Sequence, residues 1–251
     1  MFSSYTKRYS LTTYSTTSYL NADGFGVITG ANTYYYIADY LTGQLIKYND
    51  QWVYQSFASF STSISFMTGV GAYLYITFDT QVIKIDQNMA TLATFTNNGV
   101  YRGIVYSNSV IYVAAYGLSR VDVLNPSSLT LLRSICSGTG NSWYTLAAYG
   151  SNLYVASYAM IYVYTNEMYV TQYTSLCNGN NLIGLLADNY GYMALSCVIR
   201  GTNPNVFLYS INGSFTSLGI SLNSYPLSYQ IGVDSKGRFI GVAAQQVNIF
   251  Y

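Results

Sequence analysis

Short apolar runs rich in Val, Ile, Leu and Tyr are separated throughout this chain by turns of Ser, Asn, Thr and Gly. No segment of helical length repeats apolar positions at i, i+3, i+4 and i+7, and the β-branched and aromatic content of the runs predicts strands. One pattern returns inside these runs: an aromatic residue, then an aliphatic one, then a small one. It occurs as Tyr36-Ile37-Ala38, Tyr75-Ile76-Thr77, Tyr112-Val113-Ala114, Tyr154-Val155-Ala156, Tyr192-Met193-Ala194 and Phe239-Ile240-Gly241. The aromatic positions are 39, 37, 42, 38 and 47 residues apart, a spacing that marks a chain of stacked structural repeats.

Each repeat reads as four short antiparallel strands. In the third, strands fall at 103–106, 110–115, 120–123 and 129–135, with turns at Ser107-Asn108-Ser109 and Asn125-Pro126-Ser127. The second strand, Ile111-Tyr112-Val113-Ala114, shows no polar alternation, so it is expected to be buried on both faces, as when sheets pack radially. A transmembrane β-barrel would instead alternate apolar and polar residues over strands of about 10 residues. The sixth repeat offers only three strands, while 6–14 is a spare strand near the other end. The reading is therefore a single all-β domain over 1–251, a six-bladed β-propeller of four-stranded antiparallel blades. Its blades cover about 24–60, 63–97, 100–137, 142–177, 182–222 and 227–251, and an N-terminal strand within 5–15 closes the last blade and removes two open edges.

Composition narrows the partners. Charged residues make up 8 % of the chain, with 10 Lys and Arg against 9 Asp and Glu, so nothing would track a phosphate backbone and no nucleic acid is expected. The apolar runs are far shorter than the roughly 18 residues of a spanning helix, so no membrane span is expected. The first twenty residues carry no apolar run of signal-peptide type, yet scarce charge and abundant hydroxyl and aromatic side chains point to an extracellular or secreted, monomeric protein. Asn212-Gly213-Ser214 is a glycosylation sequon, which makes Asn212 a candidate acceptor. Of the three cysteines, Cys136 and Cys177 occupy equivalent crossings after fourth strands, and Cys197 ends a second strand that the crossing of Cys177 passes. Cys177 with Cys197 is the favoured pair, and three unpaired thiols are the alternative.

The segment Ile231-Gly232-Val233-Asp234-Ser235-Lys236-Gly237-Arg238-Phe239-Ile240 resembles the repeat of NHL-type six-bladed β-propellers, in which an apolar strand, an Asp-containing turn with Gly and an aromatic-aliphatic strand follow one another. Residues 185–193, with Asp188 and Gly191, resemble the same unit, as do Tyr36-Ile37-Ala38-Asp39 with Gln44-Leu45-Ile46-Lys47-Tyr48; repeats two to four lack the turn Asp and Gly. The resemblance implies that Asp39 braces the loop after it. It implies no single activity, since members range from protein- or RNA-binding modules to lyases and hydrolases.

There is no histidine, which removes the commonest general base and most zinc sites. Asp50, Asp86, Glu167, Asp188 and Asp234 sit in or beside turns, where a carboxylate hydrogen-bonds its own backbone. Propeller lactonases hold a metal with carboxylates and Asn from several inner strands, whereas the inner strands here offer mostly Gly, Ile, Val, Thr, Leu and Ala. No catalytic residue, metal or cofactor is therefore assigned. The crossings between repeats and the second-to-third-strand loops share one face, carrying Asp23, Phe25, Asp39, Tyr40, Asp79, Arg102, Tyr116, Trp143, Tyr144, Tyr158, Arg200, Tyr229 and Gln230. From these, Arg102, Trp143, Tyr144, Tyr229, Gln230 and Asp39 are the candidate ligand contacts, with aromatic rings to stack and few charges to orient. The expected function is a non-catalytic binding or protein-interaction module for a protein, peptide or glycan. The alternative is a degenerate lactonase-like hydrolase or lyase at the channel mouth, with Arg102 stabilising an anion and Asp39 or Asp23 holding a metal.

Overall fold

The computed structural model describes residues 6–10, 22–29, 31–39, 42–136, 142–157, 159–174, 176–177, 181–198, 205–211, 215–221, 231–233, 239–243 and 246–250. The described strands form four-stranded antiparallel sheets whose innermost strands neighbour one another around an axis, the architecture of a β-propeller. Among the described residues there is no α-helix, only a 3-10 turn at Tyr116–Leu118.

Five sheets are each made from one continuous stretch of chain. The first holds β2 (Ala22–Thr29), β3 (Thr33–Asp39), β4 (Gln44–Asn49) and β5 (Tyr54–Ser59). The second holds β6 (Phe66–Val70), β7 (Tyr73–Thr77), β8 (Gln81–Asp86) and β9 (Thr91–Thr96). The third holds β10 (Tyr101–Ser107), β11 (Val110–Ala115), β12 (Arg120–Leu124) and β13 (Leu131–Ile135). The fourth holds β14 (Thr145–Tyr149), β15 (Asn152–Ala156), β16 (Met160–Thr165) and β17 (Met168–Thr174). The fifth holds β18 (Asn181–Ala187), β19 (Tyr192–Val198), β20 (Asn205–Ser210) and β21 (Thr216–Ser221). Counted as continuous four-stranded units the chain thus has five blades, not the six that its repeats predict. The sixth repeat supplies three strands, β22 (Ile231–Val233), β23 (Phe239–Ala243) and β24 (Gln246–Phe250), and their sheet is composite: β1 (Thr6–Ser10) pairs antiparallel with β24, from Thr6 opposite Phe250 to Ser10 opposite Gln246. β22 lies beside both β18 and β2.

The core is not one mass but a series of slabs between neighbouring sheets. The second strands are buried on both faces, as their apolar runs require. Successive side chains of a strand point to opposite faces, and this gives the recurring motif its meaning. Tyr36 and Ala38 pack toward the second sheet, Tyr112 and Ala114 toward the fourth, Tyr154 and Ala156 toward the fifth, whereas Ile76, Val113 and Val155 pack toward the preceding sheet. The aromatic and small residues therefore face the next sheet and the aliphatic residue the previous one. The last repeat is out of phase: Phe239 joins Ala194, Val206 and Leu208 of the fifth sheet, and Ile240 joins Tyr35, Ile37, Tyr48 and Trp52 of the first. The match at Phe239-Ile240-Gly241 is thus one residue out of register, and with a period of two a one-residue slip exchanges the faces.

The motif tyrosines also reach outward. Tyr36 Oη donates to the Gln87 carbonyl at 3.1 Å, Tyr75 Oη to the Pro126 carbonyl at 2.7 Å and Tyr112 Oη to Glu167 Oε1 at 3.0 Å. Each acceptor lies in the third-to-fourth-strand turn of the next sheet, so in each of the first three sheets one motif hydroxyl ties it to its neighbour. The third-to-fourth-strand turns of the first three sheets are built alike. Asn49, Asp86 and Asn125 each accept two backbone N–H groups with their side-chain oxygens, and Trp52, Met89 and Leu129 then adopt positive φ of 63, 63 and 57°. This turn chemistry displaces the fourth strand of the third repeat, expected at 129–135, to Leu131–Ile135.

Candidate functional site

The inner strand of the third sheet enters from the loop face through a β-bulge, in which Arg102 and Gly103 interrupt the register between Tyr101 and Ile104. Such bulges re-aim side chains. A Cβ on Gly103 would lie 2.5 Å from the Thr145 Cα, so the missing side chain lets β10 approach β14, and Gly103 N–H donates to the Tyr144 carbonyl at 2.9 Å. Arg102 is thereby turned toward the second sheet. Its Nη1 donates to Ser65 Oγ at 2.7 Å and lies 3.2 Å from Asp79 Oδ1, while Thr77 Oγ1 donates to the Arg102 carbonyl at 2.8 Å. The guanidinium is 28 % exposed and Asp79 60 %, which leaves the pair open to solvent on one side.

An aromatic trio flanks this arginine. Tyr144, half-buried in the crossing before β14, meets Phe66 edge to face at 5.7 Å and Tyr116 at 6.2 Å. Phe66 begins β6 and also lines the axial channel, so the trio reaches that channel through Phe66. The channel has a volume of about 400 Å³ and is lined by inner strands, largely through glycines and small or apolar side chains such as Gly26, Gly69, Leu146, Gly184 and Gly232. Its carboxylate, Asp188, is buried, and burial pushes its carboxyl up, while N–H bonds from Tyr192 and Tyr190 at 2.8 and 2.9 Å act in the opposite sense. Among the described residues no three His, Cys, Asp or Glu side chains come together as a metal would need. Cys136 carries a free thiol that burial pushes up to about 11, so it stays protonated and weakly nucleophilic near neutrality.

Of the residues singled out from sequence, Arg102 and Tyr144 both lie at the bulge of β10, where Gly103 N–H meets the Tyr144 carbonyl. Trp143 does not: it is fully buried between the third and fourth sheets, edge to face with Tyr162 at 4.9 Å, and offers no ring to a ligand. Its place beside a loop suggested exposure, but it is the residue that plugs the crossing. Asp39 is also buried, accepting the Thr42 N–H with its side chain while its carbonyl accepts that of Gly43, a contact that braces the turn. Tyr229, Gln230 and Asn212 lie outside the described residues, as do Tyr40, Tyr158 and Arg200. Cys177 and Cys197 are joined in a disulfide with a Cα separation of 5.6 Å.

Sequence reasoning missed Ser65, Phe66 and Thr77. Thr77 carried a signal, since it puts a hydroxyl where the other motifs have Ala or Gly. It also passed over Asp122, the fully buried carboxylate of β12, which is bound by Arg120 Nε at 2.8 Å and Ser134 Oγ at 2.6 Å with Tyr101 Oη at 3.4 Å. That network ties three strands of the third sheet together.

No family model matches the chain, and no curated protein matches it. Solved structures do. The Pan2 WD40 domain of Neurospora crassa superposes with a TM-score of 0.70 at 7 % identity, over 97 % of this chain and 93 % of that one. The Cps50 (Swd1) β-propeller domain of Myceliophteria thermophila gives 0.66 at 11 %, over 91 % and 82 %. A catalytically inactive histidine-to-alanine form of virginiamycin B lyase from Staphylococcus aureus, solved with quinupristin, gives 0.67 at 11 %, over 95 % and 81 %. At these identities the likeness is one of fold alone, and by fold the chain is a β-propeller.

Proposed function

We propose that this protein is a non-catalytic binding propeller that receives an extended peptide segment of a protein partner around Arg102. The observation that carries the reading is the fixing of Arg102 by Ser65 and Asp79 of the adjacent sheet, beside the Phe66, Tyr144 and Tyr116 rings. A guanidinium presents five N–H donors in a planar fork, suited to a carboxylate or peptide carbonyls, and tyrosine edges supply apolar contact with polar tips. A WD40 domain shares the fold, as does a lyase that a histidine-to-alanine change inactivates. This chain has no histidine, which weighs toward binding over catalysis. Screening an immobilised peptide library tests it. Arg102→Ala and Tyr144→Ala are each expected to weaken the captured peptides about 10-fold or more, the range of a central interface residue, with Arg102→Lys in between. Equal binding by all four proteins would overturn the assignment.

We also propose that the composite sheet acts as a sixth blade of an NHL-like ring, with β1 as its closing strand. Removing residues 1–15 opens two edges at once, so the melting temperature of the remainder is expected to fall by several degrees; an unchanged value would count against closure. An extracellular setting completes the reading. The Cys177–Cys197 pair supports it, and alkylation of protein taken from its source should modify one thiol, whereas three modified thiols would refute it.

A further inference from the structure

Among the described residues each ion pair joins an arginine to a carboxylate, and the pairs differ in the edge of the guanidinium that is used. Arg120 donates to Asp122 from Nε at 2.8 Å and from Nη2 at 3.3 Å, and Arg133 donates to Glu167 from Nε at 2.7 Å and from Nη2. In both, the two carboxylate oxygens take the edge formed by Nε and Nη2, whose parallel N–H groups match them. Arg102 is held differently. Its Nη1 alone serves Ser65 Oγ and Asp79 Oδ1, and among the described residues nothing accepts from its Nε or Nη2. The edge that binds a carboxylate twice elsewhere in this protein is open here.

The open edge is also set in place. Ser65 is buried, and its N–H donates to the Thr77 carbonyl at 2.8 Å. The Asp79 carbonyl accepts the Tyr101 N–H at 2.9 Å, and the Arg102 carbonyl accepts from Thr77 Oγ1. The two groups that hold Nη1 and the backbone of the arginine are thus tied to one another across the second and third sheets, so little ordering remains to be done when a ligand arrives. Phe66, Tyr116 and Tyr144 beside it are half-buried, each with part of its ring surface left to a ligand.

We propose that Arg102 takes a carboxylate of the partner peptide on its Nε and Nη2 edge while Ser65 and Asp79 keep Nη1, with an apolar residue next to that carboxylate lying against the rings. The inference rests on the peptide reading above and narrows it to acidic peptides. What selects the group is the fork of Arg102 and not the net charge of the face. A guanidinium already shared with Asp79 matches the single charge of a carboxylate better than the near-double charge of a phosphate. The carboxylate has two sources, an Asp or Glu side chain and a free C-terminus, which present the same pair of oxygens.

The test is titration of the intact protein with peptides captured from the library, each remade with its Asp or Glu changed to Asn or Gln, with its C-terminus free or amidated, and with phosphoserine in place of the acidic residue. Loss of one carboxylate is expected to weaken binding about 10-fold or more, the range of a hydrogen bond to a charged group, and the form that weakens identifies the source. Arg102→Ala should bind carboxylate and amide forms alike, and Arg102→Lys, which keeps the charge without the fork, should discriminate less than the wild-type protein. The peptide-side changes leave the protein untouched, so they report on the site even where an Arg102 variant fails to fold. Carboxylate and amide forms bound alike by the wild-type protein, discrimination that survives Arg102→Ala, or a preference for the phosphorylated form would each overturn the proposal. Peptides that need Arg102 and Tyr144 yet tolerate loss of every carboxylate would overturn it and leave the peptide reading standing, whereas no captured peptide, or capture indifferent to both residues, would overturn both.

Discussion

Thirty of the 251 residues are tyrosine, and the motif positions show what that residue type does here. A ring fills the slab between two sheets while its hydroxyl bonds the outer turn of the next sheet, so one side chain supplies both apolar burial and a directional tie. Phenylalanine would keep the first and lose the second. Tyr75→Phe is therefore expected to cost about 0.5–1.5 kcal/mol, the net worth of one neutral hydrogen bond, read as a shift of the denaturant midpoint at constant slope. Tyr36→Phe should cost less. Its acceptor, the Gln87 carbonyl, keeps a second donor in Lys47 Nζ at 2.7 Å, whereas nothing described replaces Tyr75 at Pro126. Equal losses would mean that the hydroxyls act through something other than these carbonyls.

At the scale of strands and turns, the third-to-fourth-strand turn of the fourth sheet is the charged version of this tie. Glu167 accepts from Arg133 and Tyr112 of the third sheet, and the Arg133 hydrogen bond is the main reason its carboxyl titrates below the usual glutamate range. A lowered folded pKa means that the stabilisation is complete above the unfolded value and is lost as the pH falls through the folded one. The stability gap between the wild-type protein and Glu167→Gln should be open at neutral pH and close as the pH falls through and below the usual glutamate range in denaturant melts. A gap independent of pH would assign the effect to packing.

These elements were unequally legible. Second strands stood out because burial on both faces leaves an unbroken apolar run, as in Ile111-Tyr112-Val113-Ala114. The turns hid two things: Asn49 and Asn125 announce a bend, but nothing local says that Trp52 and Leu129 will complete it with positive φ. Trp143 was misplaced for the same kind of reason, since adjacency to a loop does not say which way a side chain faces. Asp122 gave no warning, because its partners come from β10, β12 and β13 and meet only in the folded sheet. The phase of Phe239 and Ile240 depends on pairing register, which a matching triplet does not encode.

For the whole molecule, slabs between sheets make the interior rich in phenols that must stay neutral. Burial pushes Tyr48, Tyr75 and Tyr112 up to about 12, and Tyr36, Tyr101 and Tyr164 are raised as well. An acid with a raised folded pKa holds its proton where the unfolded chain has lost it, so stability is intact below about pH 10 and falls as pH climbs past the unfolded tyrosine value. The protein should consequently unfold in base within a narrow interval, with a burst of phenolate absorbance coincident with loss of circular dichroism. Smooth ionisation of all tyrosines with the fold retained would contradict the burial described above.

The two tryptophans lie in different slabs. Trp52 stacks on Tyr35 at 4.3 Å in the slab shared with Ile240 of the composite sheet, and Trp143 fills the slab between the third and fourth sheets, halfway round the series. The chain thus carries two native fluorophores, one watching the seam where its ends meet and one watching the uninterrupted side. Single-tryptophan versions, Trp143→Phe and Trp52→Phe, turn the emission of the protein into separate clocks for the parting of the seam and the melting of the continuous blades.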